Sequence, residues 1–138
     1  MDRIDLHIEV PAVPFEALTH TGDGEASAGI KARILRARRR QRRRLAPLGL
    51  SLNARLRHHD LRRACPLTEA AAALLTSALQ ELVLSARSYA KILRLACTIA
   101  DLAGQEAIQP EHVAEAVQYR SLDRQEGRSP LVGGPACR

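Results

Sequence analysis

Ile4, Leu6, Ile8 and Val10 alternate with Asp5, His7 and Glu9 before Pro11 ends the run. That period of two predicts a half-buried β-strand. No other stretch of the 138 residues alternates so cleanly, so the strand has no predicted partner to complete its backbone pairing. After a connector with Pro11, Pro14, Gly22, Gly24 and Gly29, the period becomes helical. Ser27 is placed to cap a helix over 28–45, with Ile30, Ile34, Ala37 and Leu45 on one stripe; Pro47 and Gly49 stop it. Residues 50–66 read as irregular, with one turn of helix after Asp60.

Thr68 then caps a helix over 69–83, with Leu74, Leu75, Ala78, Leu79 and Leu82 as its apolar face. Ser85 caps the clearest helix, in which Tyr89, Ile92, Leu93, Ala96, Ile99, Ala100 and Ala103 follow helical spacing. Gly104 falls at its C′ position. Pro110 opens a last helix, with Val113, Ala116 and Val117 facing inward. The predicted fold is mainly α: a small four-helix bundle preceded by one orphan strand.

Composition agrees with packed helices. Apolar residues make up 46% but aromatics only 2%, so the core is built from Leu, Ile, Val and Ala. No apolar run approaches membrane-spanning length, and the charged N-terminus lacks a signal-peptide core; the chain reads as cytoplasmic. Cys65, Cys97 and Cys137 form neither a CxxC nor an even set, which argues against a disulfide framework or a zinc site.

Charge changes the picture more. The net charge is +6, yet residues 31–63 hold thirteen Lys/Arg and one acid, Asp60, for a local +12. Nine of those cations fall between Lys31 and Arg44 with no acid among them. Uncompensated repulsion along a helix is unfavourable. It is relieved either by solvent on an open face or by phosphates, with strongly salt-dependent binding. The candidate nucleic-acid contacts are Arg36, Arg38, Arg39, Arg40, Arg42, Arg43 and Arg44. No aromatics are interleaved, so base stacking is not supported.

Other chemistry is thin. GEASAGIKA, from Gly24 to Ala32, has some likeness to a phosphate-binding loop, but Ile30 intervenes and Ala32 replaces the hydroxyl. His7, His20, His58, His59 and His112 form no metal-ligand spacing and no nucleophile–base arrangement. Arg87, two residues after the Ser85 cap, opposes the helix dipole, which hints at an anion nearby. Arg87, Lys91, Arg94 and Thr98 make a polar stripe opposite the core face of that helix.

Several stretches together carry a resemblance: DRIDLHIEVP, the spacing R-x2-Q-x2-R over 38–44, LNARL at 52–56, LSAR-x5-LRLA-x-TIADLAG over 84–104, and HVAEAVQYRSLDR. Over residues 2–124 the chain resembles the C-terminal end of magnesium-chelatase-like AAA+ proteins, the ComM/YifB family. The resemblance implies that residues 1–14 are the last strand of an ATPase core and 15–27 a linker. It further implies that 28–124 are the α-helical lid and 125–138 a disordered tail. Arg3 looks like the arginine finger and Arg87 like the sensor 2 arginine, with Arg94 also toward nucleotide. The P-loop, Walker B acid and sensor 1 would lie upstream, with ATP and Mg2+ bound there and not to this chain, which would hydrolyse no ATP alone.

The intact protein would be a homo-hexameric ATPase driving DNA branch migration in natural transformation. Three alternatives stand beside this: a chelatase-type remodeller of a protein partner, a free-standing basic helical module that binds nucleic acid, and a purely structural adaptor whose arginine helix binds an acidic protein surface. One departure from the family is Cys97, where an arginine is usual, and it puts part of the sensor apparatus in question.

Overall fold

The computed structural model describes residues 6–8, 10–12, 24–81 and 85–119. Five α-helices carry the fold: α1 (Ser27–Leu45), α2 (His58–Ala64), α3 (Glu69–Glu81), α4 (Ala86–Ala103) and α5 (Pro110–Gln118). Short 3₁₀ turns at Ala46–Leu48 and Asn53–Arg55 join α1 to α2. The bundle is mainly α, as the periodicity predicts. The predicted turn near Asp60 is a seven-residue helix instead, with Asp60 in its first turn and Arg62 and Arg63 in its last, each on the side the helix dipole favours.

α4 is the central element, packed against α1, α2 and α5. Its core face presents Ala90, Ile92, Leu93, Ala96, Cys97 and Ala100. Around it close Leu45, Leu56, Leu61, Cys65, Leu75, Ile108 and Val113, nearly all without solvent contact. Both ends of α4 follow local chemistry. The Ser88 amide donates to Ser85 Oγ at 3.2 Å. At the other end Gly104 takes φ 79°, and the Gln105 amide reaches back to the Ala100 carbonyl at 2.9 Å. Gly104→Ala forces a side chain into that left-handed geometry. It is expected to lower stability by about 1–2 kcal/mol, read as a shift in the urea midpoint at unchanged slope.

Elsewhere the expected signals meet their partners. Thr68 caps α3, accepting from the Ala71 amide at 3.3 Å, while its own amide donates to the Ile108 carbonyl at 3.1 Å. With the Ile108 amide donating to Pro66, this makes a parallel bridge between Leu67 and Ile108 that ties α3 to α5. Pro110 opens α5, and His112, almost fully buried, accepts from the Gln109 amide through Nδ1 at 3.0 Å. His112 is thus a structural cap.

Three expectations shift. α1 begins at Ser27 itself, because Ala26 is the cap residue and its carbonyl accepts the first amide bonds. The stripe on α1 is buried only toward its C-terminal end, at Ala37, Gln41 and Leu45; Ile30 and Ile34 are exposed where the helix runs past the core. On α3 the buried positions are Ala71 and Leu75, and Leu74 faces out. The predicted strand forms no ladder at Leu6, His7, Ile8 or Val10: the described residues offer no sheet to join, and the Leu6, Ile8 and Val10 side chains are exposed. The His7 amide instead donates to the Tyr119 carbonyl at 3.0 Å. Ile4, Leu82 and the tail predicted over 125–138 lie outside the described residues.

Candidate nucleic-acid interface

The arginines of α1 do not share one environment. Arg36, Arg39, Arg40 and Arg43 fall within about 100° of the helix circumference over a rise of about 10 Å. They are exposed, Arg40 partly so. Arg42 is exposed on the adjoining side. None of these five has a carboxylate within ion-pair distance among the described residues. Arg38 is also exposed, but its Nη1 donates to Gln41 Oε1 at 3.4 Å. At the helix start Arg33 pairs with Glu25 at 2.8 Å, a bond that holds the exposed Glu25 carboxyl below the usual range.

Arg44 turns the other way. Its Nη1 donates to Asp101 Oδ1 at 2.5 Å and its Nη2 to Oδ2 at 2.8 Å, a bidentate fork onto a carboxylate with no solvent exposure. The same Nη2 lies 3.0 Å from Asn53 Oδ1 and 3.2 Å from Cys97 Sγ. Asn53 in turn donates through Nδ2 to Asp101 Oδ2 at 2.9 Å and to Thr98 Oγ1 at 3.1 Å. The hydrogen bond to Asp101 drives the Arg44 pKa further up. A hydrogen bond with Cys65, together with burial, pushes the Cys97 thiol up, so it stays protonated. This clamp joins α1, the Asn53 turn and α4. It explains why an acid sits on the core face of α4 at all: Asp101 neutralises a cation delivered from 57 residues away.

Arg87 is exposed at the second position of α4. Beside that end lies a hollow of about 500 Å³ walled by Ser85, Tyr89, His58, His59 and Arg62, among others. Arg94, two turns further along α4, is not brought to that end. Its Nε and Nη2 donate to the Leu56 carbonyl at 3.0 and 2.6 Å, anchoring the chain after the Asn53 turn. The polar stripe on α4 is therefore half-buried at Lys91, Arg94 and Thr98, and Leu6 lies against it. Arg3 lies outside the described residues.

Residues 24–120 match the family described as magnesium chelatase, subunit ChlI C-terminal. The chain belongs to this family. Among curated relatives, competence protein ComM of Haemophilus influenzae is 42% identical over 125 residues, covering 90% of this chain and 24% of the relative. An uncharacterized protein YifB of Salmonella typhimurium is 39% identical over the same coverage, and an uncharacterized protein of Mycobacterium bovis is 32% identical over 120 residues. The chain thus spans about a quarter of the length of the curated relatives it matches. The ComM/YifB resemblance is therefore secure.

The structure gives three of the motifs that carry it a common purpose within this ChlI C-terminal chain. R-x2-Q-x2-R supplies Arg44, LNARL supplies Asn53, and TIADLAG supplies Asp101; these three meet at the clamp, while Gln41 accepts from Arg38. Asn53 and Asp101 were not singled out by the sequence as site residues. Their signal was available: an acid at helical spacing from Ala96, Cys97 and Ala100 requires a buried partner.

Proposed function

We propose that this chain is the α-helical lid of an AAA+ ATPase whose ATP turnover remodels DNA. The observation that carries the reading is the division of labour on α1. One arginine, Arg44, welds the helix to α4, while Arg36, Arg39, Arg40, Arg42 and Arg43 face out with no ion-pair partner among the described residues. A permanent, unneutralised cationic row on a rigid helix suits a polyanion. On α4, Arg87 stands at a capped helix start beside an open hollow. There a planar cation can meet a γ-phosphate, as the sensor 2 role requires.

Arg3 takes the arginine-finger role, reaching nucleotide held by a neighbouring subunit of a homo-hexamer. Arg94 is moved from nucleotide contact to positioning, because its guanidinium already holds Leu56. ATP and Mg2+ are assigned to an upstream core. Among the described residues no group of three His, Cys, Asp or Glu is placed to hold a metal ion. No described helix is long and apolar enough to cross a membrane; the assembly is assigned to the cytoplasm. One of the relatives is named a competence protein, which supports natural transformation as the setting; branch migration there is what the ComM/YifB resemblance implies, and it is the activity we assign to the whole.

The test is fluorescence anisotropy of labelled single-stranded and branched DNA against this chain across a salt series. Contact with about four phosphates gives a log–log slope of about −3.6 on duplex arms and about −2.8 on single strands, losses of roughly 150-fold and 50-fold between 50 and 200 mM salt. Changing Arg36, Arg39, Arg40 and Arg43 to Gln is expected to flatten the slope by about three units. Absence of binding at low salt would remove DNA from the reading and leave a lid that serves a remodeller of protein partners.

A further inference from the structure

The outward row on α1 ends at a hollow of about 240 Å³, lined by Arg40, Arg43, Arg44, Gln105 and Glu106. It lies between the C-terminal half of α1 and the turn that follows α4. Three cations meet one acid there. Arg44 is already neutralised by Asp101. The balance is then two cations against Glu106, and neither Arg40 nor Arg43 is paired with that acid or any other described one.

Gly104 shapes the wall. Arg40 Nη2 lies 3.6 Å from where a β-carbon on Gly104 would stand. The guanidinium is therefore laid against the backbone of the turn and is partly withdrawn from water. Partial desolvation without a fixed acid is unfavourable for a cation, and an incoming oxyanion relieves it. Arg40 and Arg43 are three residues apart, so they are neighbours on one helix face and can fork a single group. Gln105, across the hollow, carries an amide that can donate as a third arm.

We propose that this hollow seats one backbone phosphodiester of a nucleic acid, held by Arg40, Arg43 and the Gln105 amide; the proposal rests on the nucleic-acid reading of α1 above. Glu106 stands at the rim as a repelling charge. It sets the hold below its maximum, which suits a strand that must be released on each cycle. Arg36 and Arg39 extend the same row away from the hollow and act as unshaped charge.

The experiment compares variants of the full chain by anisotropy with a labelled oligonucleotide at one low salt concentration. The pairs Arg40→Gln/Arg43→Gln and Arg36→Gln/Arg39→Gln remove equal charge. Expected is a loss for the first pair about tenfold greater than for the second. Glu106→Gln is expected to tighten binding by about twofold to threefold. Thermal melts of each variant show that the fold is kept, and the Gln105 side-chain amide signals should move on adding the oligonucleotide. If DNA binds but both pairs lose affinity equally and Glu106→Gln changes nothing, the seat is overturned while the cationic row stands. If no DNA binds and an acidic peptide does, the seat and the nucleic-acid reading fall together.

Discussion

Asp101→Asn is expected to destabilise the chain by about 3 kcal/mol, because it strands a partly buried guanidinium. The Asp101 carboxylate has no solvent exposure and takes both prongs of Arg44 as well as the Asn53 amide. Asparagine keeps the shape but turns one acceptor into a donor, which then faces Arg44 or Asn53. Arg44 retains 22% exposure of its side chain. Water can reach part of it, which puts the loss toward the low end of the range for a broken buried pair. Urea unfolding measures the effect, and a double-mutant cycle with Arg44→Met isolates the pair, with a coupling of about 2–3 kcal/mol expected. Replacing both partners with apolar residues should cost less than either single change, since no charge is then left unpaired. A loss under about 0.5 kcal/mol for Asp101→Asn, the size of an ordinary surface change, would mean the clamp does not join α1 to α4 in solution.

How far the sequence could be read depends on how local the cause is. Ser85, Thr68, Gly104 and Pro110 act on backbone groups within a few residues, and each was legible at its position. The aliphatic core followed from composition and spacing. Arg44 was not legible as a structural residue, because it stands among nine like cations and its partner lies far along the chain. Ile34 reads as core by period alone, but α1 runs past the bundle there, and among the described residues nothing covers it. The alternation at Leu6, Ile8 and Val10 is a statement about a sheet, and the described residues supply none. Of the candidate site, the outward cations were visible as composition. Their separation from Arg44, and Arg94's commitment to Leu56, needed the fold.

Arg87→Ala, made in the proposed ATPase with its upstream core, is expected to cut ATP turnover by about 10²-fold or more. Ser85 sets the start of α4, and the clamp at Asp101 fixes its far end to α1, roughly 20 Å away. Arg87 is therefore carried on a rigid element held at both ends. Its side chain is exposed at a helix start, where a cation opposes the dipole by a few tenths of a kcal/mol. Dianionic phosphate reverses that sign, since the dipole and the guanidinium then attract the same group. Lysine should restore little, because the fork that spans two phosphate oxygens is lost even though the charge is kept. Steady-state turnover and binding of a fluorescent ATP analogue separate the two contributions. A fall in turnover with nucleotide affinity nearly unchanged is the result expected of a group that acts on charge developing in the transition state. The same substitution in the chain alone should leave DNA affinity as it was, because Arg87 does not belong to the row on α1. Unchanged turnover would take Arg87 out of the site, and with it the sensor role assigned to the start of α4.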